Sequence, residues 1–287
     1  MKLIGLLMIR NEQWVIGASL DAAMRWCDGV AIYLDRCEDE TFAIVDTIVR
    51  AQPEKSCHIN YDRTPVEHWD EMDKRQCLLD DGRRLGGTHF AMIDADEILT
   101  ANNVPQVRGW TETLRPGEVL DLPMIAVWNG LESYRRDDSI WSHAYLSVAF
   151  SDAPGLGWMP RGEDRYQFHH RVPFGAIGQK RRECEGGVMH LQFADWRRLV
   201  AKHVLYRMVE HIRWPGRLTL AQLNATYDLA IDRREPRCEP IPPAWWDGWR
   251  KDEIRLAEKP WHEDEIKRLL LQHGPAAFQG LDLKGFA

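Results

Sequence analysis

The sequence has no C-x-x-C pair: Cys27, Cys37, Cys57, Cys77, Cys184 and Cys238 are scattered along it. That spacing excludes the common zinc and dithiol motifs and leaves reduced thiols in a cytoplasmic protein as the simplest expectation. No apolar run approaches the ~18 residues that a membrane-spanning helix needs. Met1 to Ile9 is apolar enough to imitate the core of a leader peptide, but Arg10-Asn11-Glu12 follow at once and no small-residue cleavage site appears, so the segment is expected to be a first strand. Positive charge is in deficit, with 37 Lys and Arg against 44 Asp and Glu and a net charge of -7. Binding to nucleic acid is therefore not expected, since its electrostatic footprint is missing. Glycine-rich phosphate cradles are missing too: no G-x-G-x-x-G follows the first strand and no G-K-[ST] occurs.

What is present fits a soluble α/β globule of 287 residues, 44% hydrophobic and 28% charged, long enough for one large domain with an appendage. Thirteen tryptophans are many for this length. Any one of them is most simply core, although sugar rings also present apolar faces that stack on indole. After the first strand, Val15 to Trp26 has helical spacing, Val30 to Leu34 reads as a buried strand ending in Asp35, and Phe42 to Val49 as an amphipathic helix. His58 to Tyr61 is a short third strand, and Glu67 to Arg84 a charged helix. Gly86-Gly87 then deliver the run Thr88 to Ile98, in which five mostly apolar residues fit a fourth, buried strand and an acidic triplet follows where it emerges. The order β-α-β-α-β-α-β predicts a doubly wound, mostly parallel sheet.

Beyond residue 100 the pattern loosens. Val104 to Leu114 suits a helix, and Val119 to Trp128, Ala144 to Phe150 and Gly187 to Phe193 suit strands. Residues 151–185 lack periodicity and are expected to be active-site loops. Asp195 is placed to cap a helix running to His211, and Pro-rich breaks from Trp214 onward separate short helices over Leu218 to Ile231 and Glu263 to His273.

The chemistry concentrates in Asp94-Ala95-Asp96-Glu97. Such a group is either a solvated acidic turn or, at the carboxyl end of a strand in an open parallel sheet, a place for a divalent cation and a phosphorylated ligand. Its position after the fourth strand, with Asp35 and Arg10 at neighbouring strand ends, favours the second. Lys74 and Arg75 on the charged helix either reach that ligand or form a solvated face.

With Arg10-Asn11-Glu12 after the first strand, Asp35 with Asp39 and Thr41 after the second, and Asp94-Ala95-Asp96-Glu97 after the fourth, the first hundred residues resemble a GT-A glycosyltransferase of the family 2 kind. Met189-His190 followed by Trp196 and Lys202 extends the likeness more loosely. The resemblance implies a GT-A type, Rossmann-like sheet flanked by helices over residues 1–213, with a nucleotide-sugar half (1–100) and an acceptor half (101–213), and a C-terminal helical extension over 214–287. It also implies a UDP- or GDP-type nucleotide-sugar donor, a carbohydrate or other hydroxyl acceptor, and Mn or Mg on the diphosphate. Donor contacts would come from Arg10, Asn11, Glu12, Asp35, Arg75, Asp94 and Ala95. The metal would fall to Asp96, with Asp94 beside it and His190 as a third ligand, unless His190 is simply a hydrogen-bonded histidine. An acceptor hydroxyl is a poor nucleophile until deprotonated, so a base is needed. In sequence order Asp164 with Glu163 is the best-placed acidic pair, while Asp121 and Asp152 are rivals. His169-His170-Arg171 either line the acceptor or clamp the pyrophosphate, and Trp128, Trp141 and Trp158 flank these loops.

Other classes explain less. A phosphatase of the haloacid dehalogenase kind wants its aspartate pair on the first strand, and a nucleotidyltransferase wants a glycine-rich loop there. A non-catalytic carbohydrate-binding protein would account for the tryptophans but not for the acidic residues.

Overall fold

The computed structural model describes residues 1–64, 71–158 and 171–286. Strand β1 (Leu3–Ile9) lies between β2 (Gly29–Asp35) and β4 (His89–Asp94), parallel to both, and β3 (Ser56–Asp62) extends the sheet beyond β2. Alternate residues of β1 face opposite ways, as strand geometry requires. Leu3, Leu7 and Ile9 join the core under α1 (Ile16–Trp26) and α2 (Thr41–Arg50), whereas Ile4 and Leu6 pack with Met72, Leu78 and Leu79 of α3 (Glu71–Arg84). Both faces of the sheet are thus covered, and its strands read as continuous apolar runs. The chain is an α/β protein with a mostly parallel sheet flanked by helices, as its element order predicts.

The registers Met8↔Asp94, Ile9↔Leu34 and Asp35↔Asp62 bring the ends of four strands to one edge. The acidic residues follow the apolar strand, as expected, and an unexpected second short strand starts within them. β4 stops at Asp94, Ala95-Asp96 turn the chain, and Glu97 begins a separate short strand, β5 (Glu97–Leu99). The turn leaves Asp94 and Glu97 on one side and Asp96 on the other.

The second half begins with α4 (Val104–Glu112) and β6 (Glu118–Ala126). Next come β7 (Ser133–Arg135) and then β8 (Tyr145–Ser151), which pairs antiparallel with both β4 and β6. Residues 171–185, expected to be irregular, contain β9 (Gly178–Arg181), parallel to β6. Its four residues are all exposed, so no apolar alternation marks them in the sequence. β10 (Val188–His190) lies between β6 and β5. Gly187 ahead of it has φ +147°, and a Cβ there would stand 2.0 Å from the Pro123 carbonyl oxygen, so only glycine fits this approach.

Helix α5 (Trp196–Arg213) is capped by Asp195, whose side chain accepts a hydrogen bond from the Arg198 backbone N–H. Its Val204, Leu205 and Met208 pack with Leu223 and Tyr227 of α6 (Leu220–Asp228) and with Ile266 and Leu269 of α7 (His262–His273). Strand β11 (Cys238–Pro240) pairs with β7, and Trp245, Trp246 and Trp249 beyond it pack against Trp14, Val15 and Met189. Most of the tryptophan content is thereby core. Among the described residues, no helix is long and apolar enough to cross a membrane.

Candidate functional site

At the carboxyl edge of the sheet Asp35, Asp94, Asp96 and Glu97 each meet a cation delivered by another element. Asp35, fully buried at the end of β2, accepts from Arg36 at 2.9 Å and from the Lys74 Nζ of α3 at 2.8 Å. Burial opposes its ionisation, but Arg36 and Lys74 outweigh this and hold its carboxyl below the usual carboxylate range. The charged run on α3 is therefore no solvated face: Lys74 and Arg75 are both buried. A folded-state pKa depressed below the ordinary 3.8 means that this stabilisation is present above that pH and lost as pH falls through the folded value. Asp35→Asn should then make thermal stability flatter than the parent's as pH falls below about 4. Parallel acid melting curves for the two proteins would count against Asp35 as this anchor.

Asp94 and Glu97 share one clamp. Arg171 donates through Nη1 to Asp94 (3.1 Å) and Glu97 (2.7 Å), and through Nη2 to Glu97 (2.6 Å) and the Met92 carbonyl (2.6 Å). Its Nε donates to the Ser147 carbonyl of β8. The other Asp94 oxygen lies 3.4 Å from Arg75, itself fixed by Glu71 at 2.7 Å. Asp94 is held below the ordinary carboxylate range: desolvation opposes this, and Arg171 and Arg75 overcome it. Glu97, 3% exposed, moves the other way because burial outweighs Arg171.

Asp96 turns away from this clamp. Its Oδ2 is 3.2 Å from Lys202 Nζ of α5, and its Oδ1 is 3.5 Å from His190 Nε2 at the end of β10. Burial opposes its ionisation, yet Lys202 and His190 hold its carboxyl far below the usual range. Beside it Glu12 accepts from the Trp14 indole N–H, and burial, together with the Asp96 charge, pushes its carboxyl up to about 7. Asn11 takes the left-handed conformation (φ 52°) that the tight turn after β1 requires, and its Oδ1 accepts from the Glu38 backbone N–H at 2.8 Å. Arg10 pairs with Glu265 of α7 at 3.7 Å and lies 4.6 Å from the centre of the Trp261 ring.

The structure thus brings Arg75 to Asp94, and His190 to Asp96, with Ala95 buried in the turn between them and Glu12 alongside. Glu163, Asp164, His169 and His170 lie outside the described residues. Of the rival bases, Asp152 follows Ser151, which pairs with His89 at the amino end of β4, and Arg83 holds it at 2.8 Å on the edge opposite the site. Asp121 is buried within β6 and accepts from Ser147 at 2.7 Å. Trp128 and Trp158, 3% and 1% exposed, are core residues. Sequence reasoning missed the Arg171 clamp and the contribution of α7. Nothing local signals contacts between residues so far apart in the chain.

No group of three His, Cys, Asp or Glu side chains that would hold a metal is assembled among the described residues. The donor set is narrower: the Asp96 carboxylate and the His190 imidazole, facing each other at 3.5 Å. Mg and ions like it commonly take only one or two protein ligands and complete their shell with water and substrate phosphates, so this pair fits such an ion when a diphosphate supplies the rest. Asp94, engaged by two arginines, is less available to it.

No protein-family model matches the chain, and no curated protein matches its sequence. Solved structures of similar shape include TarS 1-349 of S. aureus, with a TM-score of 0.46 and 9% identity over 98% of this chain and 83% of that one. A second TarS structure from S. aureus has a TM-score of 0.44 and 12% identity, and this chain, matched over 98% of its length, spans half of it (50%). The mannosyltransferase PcManGT of Pyrobaculum calidifontis, in complex with GDP-Man and Mn2+, has a TM-score of 0.46 and 14% identity over 96% of this chain and 75% of that one.

Proposed function

We propose that the protein is a GT-A type glycosyltransferase that moves a sugar from a nucleoside diphosphate to an acceptor hydroxyl, with inversion and with Mn or Mg as cofactor. The observation that carries this reading is Asp96 at the carboxyl edge of parallel strands, one turn beyond Asp94, set between Lys202 and His190. Parallel α/β sheets bind ligands at this edge, and a diphosphate leaving group needs concentrated positive charge there. In this reading residues 1–100 hold the nucleotide, 101–213 the acceptor, and 214–287 form the helical extension.

Asp96 and His190 would hold the cation, which when bound neutralises charge on the departing diphosphate. Arg75 and Arg171 fix Asp94 so that its remaining lone pairs accept from the donor ribose. Asp35, fully buried, positions Arg36 and Lys74 beneath the nucleoside, with Arg10, Asn11 and Glu12 along the adjoining edge. The base that takes the acceptor proton is assigned to Asp164 or Glu163.

Calorimetry of UDP and GDP binding with and without Mn, followed by a screen of nucleotide sugars for transfer, tests the proposal. His190→Ala should weaken Mn affinity by about 10- to 100-fold, the usual consequence of disturbing a metal site. Unchanged affinity would return His190 to a structural role, and failure of both nucleotides to bind in the presence of Mn would overturn the proposal.

A further inference from the structure

Between the carboxyl ends of β1 and β2 and the helices α5 and α7 lies a cavity of about 920 Å³. That is near the upper end of the ~300–1,000 Å³ range of small-molecule sites. One wall is apolar, made by Leu205, Val209 and Ile212 of α5 with Leu269 of α7. The rest of the lining is charged and mixed in sign: Arg10 and Arg36 from the strand ends and Arg198 from the start of α5 stand with Glu38, Asp39 and Glu265.

Arg198 is the informative member. It is 3% exposed. Its guanidinium lies 4.2 Å from the centre of the Trp14 ring, and its Nη2 donates to the Glu258 carbonyl at 3.0 Å. Its Nε has no acceptor, and among the described residues no carboxylate stands within ion-pair distance. Isolated buried charges cost several kcal/mol and are ordinarily paired. Burial lowers the Arg198 pKa from 12.5, but a guanidinium remains protonated at neutral pH. Glu12, Asp195, Glu258 and Asp96 act on Arg198 only through space. A buried guanidinium that lines a cavity with its Nε unfilled offers a site to an anion, and a phosphate matches its forked donors.

We propose that this cavity binds an organic phosphate, with the anionic group on Arg198 and Arg10 and the less polar body of the ligand against the α5–α7 wall. The phosphate has two sources. It belongs either to the nucleotide of the sugar donor, which rests on the function proposed above, or to a second substrate that carries a phosphate on an apolar chain.

Calorimetry on the full chain with UDP and GDP, each with and without Mn, and with decyl phosphate separates these. At least one probe should bind the parent, and Arg198→Gln should weaken that binding at least tenfold, about 1.4 kcal/mol. A cooperative melt of the ligand-free variant, with the parent's circular dichroism spectrum, shows that the loss is in binding and not in folding. Binding of nucleotides alone assigns the phosphate to the donor, whereas decyl phosphate binding that persists under saturating UDP assigns it to the second substrate. If Arg198→Gln does not fold, Arg198→Lys, which keeps the charge and loses the fork, carries the same comparison. Parent protein that binds no probe, or variants that bind every probe as tightly as the parent, overturn the proposal. Arg198-dependent binding of decyl phosphate without any nucleotide binding would sink the glycosyltransferase reading and leave the cavity site standing.

Discussion

Truncating Arg171 to alanine is expected to destabilise the folded chain by about 3–5 kcal/mol, the usual cost of removing one partner from a buried ion pair. The expectation rests on what the side chain leaves behind. Glu97 is 3% exposed and would lose both guanidinium contacts, and two carbonyls, of Met92 and Ser147, would lose a donor. Those carbonyls belong to β4 and β8, so the clamp also ties β4 to the second half of the sheet. The pH dependence follows from Glu97, whose carboxyl burial already holds above the ordinary 4.5. Without Arg171 that opposition to charge stands alone. A raised folded pKa gives stability that is present below 4.5 and lost as pH rises, so the deficit of the variant should shrink under acidic conditions. Urea unfolding of parent and variant at pH 7 and pH 5 measures both effects. A loss below about 1 kcal/mol at pH 7, the size of an exposed surface pair, would mean that the clamp is not an anchor.

Arg171 also marks the limit of what the sequence makes legible. The first hundred residues were readable because strands covered on both faces appear as apolar runs and the helices between them keep a 3.6-residue period. Asn11 announced its turn, Asp195 its cap, and the acidic residues their place at a strand end. What was hidden depends on contacts across the chain. Arg171 meets residues 74 and 77 positions earlier, and Arg10 meets Glu265 across most of the sequence. β9, exposed throughout, and the three-residue β7 and β11 carry too little burial to imprint a pattern. Of the three tryptophans that flank the loops, Trp128 and Trp158 are core, as the simplest reading of a tryptophan has it, while Trp141 is half-buried against Phe193.

The pair formed by Asp96 and Lys202 allows stability and ligand binding to be pulled apart. Lys202→Met alone leaves the buried Asp96 charge with only His190 and should cost about 3 kcal/mol or more; Asp96→Asn alone leaves the half-buried Lys202 without its partner and should cost somewhat less. Removing both ends of a buried pair is often nearly neutral, so Asp96→Asn combined with Lys202→Met should return to within about 1 kcal/mol of the parent, a positive coupling that a double-mutant cycle reads directly. Binding follows a different rule. In the proposed function the Asp96 carboxylate is a metal ligand, and an amide oxygen is a much weaker donor to a hard cation than a carboxylate. Mn-dependent UDP or GDP affinity should therefore fall by at least about 100-fold in both Asp96→Asn and the double variant, equivalent to ~2.7 kcal/mol, even though the double variant is stable. Stable double variant with lost binding identifies Asp96 as a ligand-binding carboxylate held in readiness by Lys202. A double variant that binds nucleotide and Mn like the parent would make the pair a purely structural lock between α5 and the turn after β4, and the metal would have to be held elsewhere.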